Sequence, residues 1–331
     1  MSGPPDTLSV VIPNYNHARF LPDSIDSILH QSRPPDEIIV VDDASSDNSV
    51  EILRAYAARD DRIRLILSET NRGVMQSLRA GVEACSGRYF FGGAADDRIL
   101  PGLFERSMAL LRRYPEAGLC SAQSLVMDES LTRERVFATP EVVSRPAFLP
   151  PARVRELLRL YGSWFMGNTT IYRREAFLAA GGYMPDLQFF ADGFVSQAMA
   201  LRHGACYLPE PLAIWRKMDE GFASASMNDE ERVASVMVHV RRLEQTGFRG
   251  LFPPGHTDRI EEDFRLAAQR RALSRQYRPR PEEGAGERVA RWLRLWTARL
   301  GLVARFTTPY RFRRYARTLG PYIAYRLGLR R

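Results

Sequence analysis

Four short apolar runs, each closing on a polar turn and separated from the next by a helically periodic stretch, dominate the first hundred residues. Residues 8–13, Leu-Ser-Val-Val-Ile-Pro, have the length and bulk of a buried strand ended by proline. Leu21, Ile25, Ile28 and Leu29 then recur at helical spacing over residues 21–31. A second strand, Glu-Ile-Ile-Val-Val, covers residues 37–41, and a helix follows over 49–58. The third strand is 63–67, the next helix 74–84, and the fourth strand 88–91. Strand and helix in alternation imply a parallel sheet with helical crossovers. Such sheets bind ligands beyond the carboxyl ends of their strands. The acidic turns Asp42-Asp43 and Asp96-Asp97 both leave from those ends, so the topology predicts that they share one rim.

Past residue 100 the pattern is coarser. Pro140, Pro146, Pro150 and Pro151 mark a loop-rich stretch. Helices are expected over 154–160, 175–180, 196–202, 229–244 and 258–275, and strands over 168–173 and 206–208. Residues 278–286, rich in Pro, Arg, Glu and Gly, read as a linker. With 331 residues and 45% hydrophobic content, the chain can bury a full core.

The net charge of +8 is unevenly spread. Residues 288–331 hold twelve arginines and no Asp or Glu, which leaves about −4 on the rest of the chain. Trp292, Leu293, Trp296, Leu300 and Val303 repeat at helical spacing beside Arg291, Arg294 and Arg305. That combination suits an anionic membrane surface, or equally a helix packed on the preceding domain. A nucleic-acid partner is disfavoured, because no recognition motif accompanies the tail and the acidic turns oppose phosphate. Cys85, Cys120 and Cys206 are odd in number and widely spaced, which argues against a disulfide scaffold and a cysteine zinc site. The first residues, Met-Ser-Gly-Pro-Pro-Asp, lack the pattern of a signal peptide, and no apolar run is long enough to span a membrane. A cytoplasmic location is expected, peripheral on the inner face of a bacterial plasma membrane if the tail binds lipid.

Crowded carboxylates need a cation or hydrogen-bond donors to offset their repulsion. Asp96-Asp97 follow four small residues, Gly92-Gly93-Ala94-Ala95, which leave room for a bulky ligand. Oxygen ligands at a strand end suit Mg²⁺ or Mn²⁺ bridged to phosphates. An ordinary acidic turn or helix cap is the alternative for either pair taken alone.

Three segments together resemble the family-2 glycosyltransferases of the GT-A fold. They are residues 9–16 (Ser-Val-Val-Ile-Pro-Asn-Tyr-Asn), 40–47 (Val-Val-Asp-Asp-Ala-Ser-Ser-Asp) and 94–97 (Ala-Ala-Asp-Asp) before Leu100-Pro101. The resemblance covers about residues 8–220 and implies an α/β fold, a Rossmann-like and mostly parallel sheet flanked by helices. It implies a catalytic domain over 1–228, with a donor-binding half (1–100) and an acceptor-side half (101–228). A helical extension (229–280) and a basic amphipathic tail (281–331) follow. The implied reaction is transfer of a sugar, with inversion, from a nucleotide diphosphate donor, UDP by family frequency. The acceptor is a glycan or lipid-linked saccharide of cell-surface polysaccharide synthesis.

The resemblance also assigns roles. Asp43 would bond the nucleobase, with Pro13 and Tyr15 lining the base and ribose pocket. Asp96 would contact ribose or metal, and Asp97 would complete the metal–diphosphate clamp with Mn²⁺ or Mg²⁺. Arg72, Arg79 and Arg216 are the candidate phosphate contacts. Inverting transfer needs a base for the acceptor hydroxyl. Asp192, between aromatics in Phe-Phe-Ala-Asp-Gly-Phe, matches that base. Trp164 and Asn168 are acceptor-side candidates, core packing being the alternative for Trp164. Three departures stand out: Ala94 replaces the first acid of the metal motif, Ala191 replaces a glutamate before the base, and Met218 replaces a histidine. They motivate a rival reading as a catalytically degenerate, nucleotide-sugar-binding scaffold subunit. A nucleotidyltransferase would want a glycine-rich basic loop after the first strand, which Pro13-Asn-Tyr-Asn16 is not.

Overall fold

The computed structural model describes residues 6–131, 134–135, 139–140, 142–218, 221–227 and 229–276. Its first half follows the sequence pattern closely: β1 (Leu8–Asn14), α1 (Leu21–Leu29), β2 (Glu37–Asp42), α2 (Ser49–Ala57), β3 (Ile63–Leu67), α3 (Val74–Ala84) and β4 (Tyr89–Gly92). These four strands are all parallel, in the order β3-β2-β1-β4. The β1–β2 register sets Pro13 beside Val41 and Asn14 beside Asp42, so both strands end together.

The second half comprises β5 (Arg98–Ile99), α4 (Leu103–Arg113), β6 (Leu119–Met127), β7 (Glu134–Arg135), β8 (Ala147–Leu149) and α5 (Pro151–Tyr161). It continues with β9 (Ile171–Arg173), α6 (Arg174–Ala179), α7 (Ala191–His203), β10 (Ala205–Arg216), α8 (Phe222–Ser226), α9 (Glu230–Gln245) and α10 (His256–Gln276). The sheet runs on as β4-β9-β6-β10-β5, with β7 on β6 and β8 on β10. β9 is antiparallel to both β4 and β6, while β10 is parallel to β6, so the sheet is mixed. An α/β sheet flanked by helices with further C-terminal helices is the architecture expected.

Several details were not anticipated. The sequence reading placed no element at α4 or β6. The strand expected over 168–173 divides into a 3₁₀ turn, Gly167–Thr169, and the short β9. The helix expected over 196–202 begins at Ala191. Residues 194–201 are buried without interruption, so α7 has no polar face to mark its period. β10 runs for 12 residues through Pro209 and Pro211 because its pairing with β6 shifts register on either side of Pro211. Prolines are tolerated in strands at such irregularities.

Alternate residues of β1 feed two apolar layers. Val10 and Ile12 join α1 and α4 on one face, with Leu21, Ile25, Phe104 and Met108. Val11 joins Leu78 and Val82 of α3 on the other face, in a layer that extends to α7 and α9 through Phe194, Val236 and Val240. Cys85, Cys120 and Cys206 are buried and free. No helix among the described residues is long and apolar enough to cross a membrane. The expected linker and the basic tail lie outside the described residues.

The seat of α3 on the sheet depends on Gly81, where an added Cβ would stand 2.2 Å from Val11 Cγ1 and 3.3 Å from Val41 Cγ2. Alanine there gains about 1 kcal/mol of helix propensity. It also overpacks a filled layer, at a cost of about 1–3 kcal/mol. Val11 is fully buried and has nowhere to move. We expect Gly81→Ala to lower the urea midpoint, and Gly81→Val to lower it further.

Candidate active site

The first rim is built by β1 and β2. Asp42 is 1% exposed, and its carboxylate accepts from Asn14 Nδ2 (2.7 Å), Ser45 N (2.9 Å) and Ser45 Oγ (2.7 Å). Asp42 therefore braces the loop after β2. The brace holds Ala44 at φ 63°, a left-handed conformation that a non-glycine residue rarely adopts. Asp43 is 3% exposed and accepts from Arg72 N (3.0 Å) and Gly73 N (2.7 Å). It thereby ties the β2 loop to the start of α3. Pro13 is half-buried, whereas Tyr15 stands 45% exposed at the edge.

The second acidic turn is fastened from three sides. Asp97 Oδ1 accepts from Arg216 N at 3.0 Å, and Oδ2 accepts from Asn168 Nδ2 at 3.0 Å. Ser24 Oγ of α1 donates to Ala94 O at 2.9 Å. The Arg216 guanidinium donates to Asp96 O (2.8 Å), Glu129 O (2.7 Å) and Asp23 Oδ2 (2.6 Å), and lies 4.7 Å above the Phe20 ring. Its planar fork is thus spent on protein partners, and Arg216 acts as a brace of the Asp96-Asp97 turn. Burial raises the carboxyl of Asp97 well above its usual range, and Asp96 adds to the rise. Burial raises Asp96 too, against the opposing charge of His17 and Arg216.

Asp192 stands in the first turn of α7. Its Oδ1 accepts from Gly193 N at 2.7 Å, and burial pushes its carboxyl up. Its Oδ2 lies against Gly167, where a Cβ would approach to 2.4 Å. Gly167 and Asn168 are consecutive in one 3₁₀ turn. That turn touches Asp192 with one residue and Asp97 with the next, so the two acids meet across a shared wall. The charge of Asp192 also helps to raise the buried phenols of Tyr172 and Tyr183.

The other candidates are distributed differently. Trp164 is fully buried against Phe165, at a ring-centroid distance of 4.7 Å, so its faces belong to the core. Arg79 pairs with Glu83 on the exposed side of α3, and the side chain of Arg72 is exposed. Arg72, Arg79 and Asp43 do line one cavity of about 220 Å³. A larger cavity of about 660 Å³ lies behind it, between α3, residues 177–187 and α9, and includes none of the acidic turns. The sequence reading missed Asn14, Ser45, Asp23, Phe20 and Gly167. Asn14 stands inside a quoted motif, and Gly167 precedes a flagged residue. Asp23 and Phe20 carry no signal, because their partner is 193 or more positions away.

A divalent cation fits this donor set. Asp96 and Asp97 are hard oxygen donors whose negative charge burial leaves uncompensated, and the side-chain oxygen of Asn168 beside them has no hydrogen-bond partner. Among the described residues, no three His, Cys, Asp or Glu side chains converge. Two carboxylates plus ligand phosphates and water is the usual way to hold Mg²⁺.

These carboxyls make stability depend on pH in a definite sense. Asp96, Asp97 and Asp192 hold their protons more tightly in the fold than an ordinary aspartate, whose pKa is about 3.9. Their contribution is therefore fully present below that value and lost as pH rises through the folded values. Glu37, Asp47 and Asp60 are held low and act oppositely, so the informative quantity is a difference. Without divalent ion, Asp97→Asn is expected to melt above wild type at pH 7, and the gain should vanish below pH ~4. The Asn168 amide can turn its unpartnered oxygen to the new NH₂. Thermal melts across pH, with and without Mn²⁺, check this.

Comparison with known proteins bears on this geometry. The family model described as "Glycosyl transferase family 2" matches residues 9–179. The chain is 32% identical over 206 residues to the putative glycosyltransferase EpsE of Bacillus subtilis, covering 58% of this chain and 69% of that protein. It is 29% identical over 134 residues to the putative teichuronic acid biosynthesis glycosyltransferase TuaG of the same organism, covering 40% and 53%. Its match to a further B. subtilis relative, the uncharacterized glycosyltransferase EpsJ, spans 61% of that protein. S. aureus TarS 1–349 in complex with UDP-GlcNAc superposes with a TM-score of 0.59 at 17% identity, covering 90% of this chain and 81% of that one. The mannosyltransferase PcManGT of Pyrobaculum calidifontis, in complex with GDP-Man and Mn²⁺, gives 0.54 at 19% identity, covering 96% and 80%. Those two likenesses speak to the fold alone. The family match spans just over half of the chain and includes all three motif segments of its first half, both acidic turns among them. The chain belongs to glycosyl transferase family 2.

Proposed function

We propose that this glycosyltransferase transfers a sugar, with inversion, from a nucleotide diphosphate donor to a hydroxyl of a glycan or lipid-linked saccharide in cell-surface polysaccharide synthesis. A uridine donor is our first choice. The observation that supports the reading best is the 3₁₀ turn at residues 167–169, which stands between Asp97 and Asp192. Its Asn168 bonds Asp97 and its Gly167 lies against Asp192, so one turn of backbone touches both acids.

In this reading Asp43 and the backbone it fastens, with Pro13 and Tyr15, receive the nucleoside. Asp96 and Asp97 hold Mn²⁺ or Mg²⁺, which when bound supplies positive charge to the leaving diphosphate. Arg72 lies at the same rim, and Arg216 keeps the acidic turn in place. Asp192, its basicity raised by burial, accepts the proton of the acceptor hydroxyl while that oxygen attacks the anomeric carbon. The bond to the diphosphate breaks on the opposite face, so the configuration inverts. The catalytic unit spans residues 1–228, α9 and α10 form its extension, and the basic residues 288–331 meet an anionic membrane surface.

Three measurements test this. Titration with UDP-sugars and Mn²⁺ is expected to give saturable binding, which Asp43→Ala weakens about tenfold through a lost charged hydrogen-bond network. Asp192→Asn is expected to lower kcat by about 10²–10⁴ with little change in donor affinity. Full activity in both Asp97→Ala and Asp192→Asn would defeat the assignment. For the tail, a chain ending at residue 287 is expected to lose binding to anionic vesicles that the full chain retains; equal binding by both would exclude the tail.

A further inference from the structure

The segment that delivers Asp192 is strained. Gln188 sits at φ 44° and ψ −122°, a conformation a side chain rarely adopts, four residues before the acid. Strain of that kind persists only where neighbouring structure over-determines the backbone. The neighbours here are the two C-terminal helices. Phe264 of α10 packs edge-on against Phe189 (5.3 Å) and Phe190 (6.0 Å). Phe248 and Phe252, between α9 and α10, pack on Phe194 of α7 at 5.0 and 5.1 Å.

One contact in this layer is not apolar. His256, at the start of α10, is 4% exposed and stacked on Phe252 at 4.4 Å. Its Nδ1 lies 2.6 Å from Glu244 Oε1 of α9, and its Nε2 lies 2.6 Å from Gln197 Oε1 of α7. The orientation of the Gln197 amide is fixed, because its Nε2 donates to Gly193 O at 3.0 Å. Both ring nitrogens therefore face side-chain oxygens, one on α9 and one on α7. A phenyl ring would fill the same space without direction. The imidazole, held between Glu244 and Gln197, aims Gln197 at the first turn of α7, where Gly193 N in turn donates to Asp192.

We propose that Glu244, His256 and Gln197 form a hydrogen-bonded clasp through which the C-terminal helices hold the first turn of α7, making His256 a positioning residue for Asp192. The inference rests on the reading of Asp192 as the base. The clasp acts on the acceptor side and leaves the donor-binding acids untouched.

The test uses the full chain carrying His256→Phe or Gln197→Leu, with Val236→Ala as a control that loosens α9 in the same buried layer without touching the clasp. With a UDP-sugar and acceptor, His256→Phe and Gln197→Leu are expected to lower kcat about tenfold or more, as small misplacements of a reacting group do, with the donor KM within about twofold. The double variant should be no worse than the weaker single. Amide hydrogen exchange over residues 186–196 should quicken in both clasp variants beyond the control. Exchange equal to that of Val236→Ala, or a loss expressed in donor KM, would overturn the clasp. If Asp192→Asn keeps its activity the base assignment falls, and the exchange measurement still decides whether the clasp exists.

Discussion

Two adjacent carboxylates, taken out of water and left side by side, cannot both carry their charge without help. Asp96 and Asp97 are in that position, and much of the surrounding structure answers to it. One solution would be to let the turn swing outward into solvent. The fold prevents this. Arg216 at the end of β10 binds the turn through its backbone N–H and its Nε–H, its other guanidinium nitrogens being anchored on Glu129 and Asp23, and α1 holds Ala94 through Ser24. Asn168 closes the remaining side. A lysine in place of Arg216 could make one of the guanidinium contacts at a time, but not the planar set. The acids are thus kept buried and repelling, a state that a cation relieves.

The two acidic turns use their carboxylates differently, and the difference follows from donors. At the β2 end, Asp42 has three donors within 2.9 Å, and Asp43 has two backbone N–H groups of the loop before α3. Their negative charge is solvated by the protein itself. At the other turn Asp97 has two donors and a second buried acid beside it, and the side-chain oxygen of Asn168, whose amide nitrogen bonds Asp97, has no hydrogen-bond partner. The rim is therefore divided into a satisfied half, suited to holding backbone in place, and an unsatisfied half, suited to a cation.

The sequence made the first half of the fold legible because β1 to β4 and their helices keep clean periods and end in polar turns. It made the acids legible as residues, but not their surroundings. Arg216 could be matched to a phosphate contact from its neighbours in sequence, yet its partners Asp23 and Phe20 lie on the far side of the chain order. Trp164 looked equally suited to a sugar face or a core, and only packing separates these. α7 was shortened to 196–202 because a helix buried on every side has no hydrophobic period. That shortening hid the fact that Asp192 occupies the helix's first turn, where its geometry is set by Gly167 and Gly193.

The departures from the family pattern bear on whether the site is degenerate. Ala191 is fully buried in the apolar layer that includes Phe190 and Phe194. A side chain at that position points into the core, so a glutamate there would have no route to the rim occupied by Asp192 without reshaping the start of α7. Its absence is matched by the packing of that layer. Ala94 contributes through its carbonyl, which Ser24 holds, and this contact is independent of the side chain. The turn at 167–169 touches both Asp97 and Asp192, and burial raises both carboxyls. Burying an acid costs stability, and burial raises the carboxyl of Asp192, the property that the proposed role as base would use.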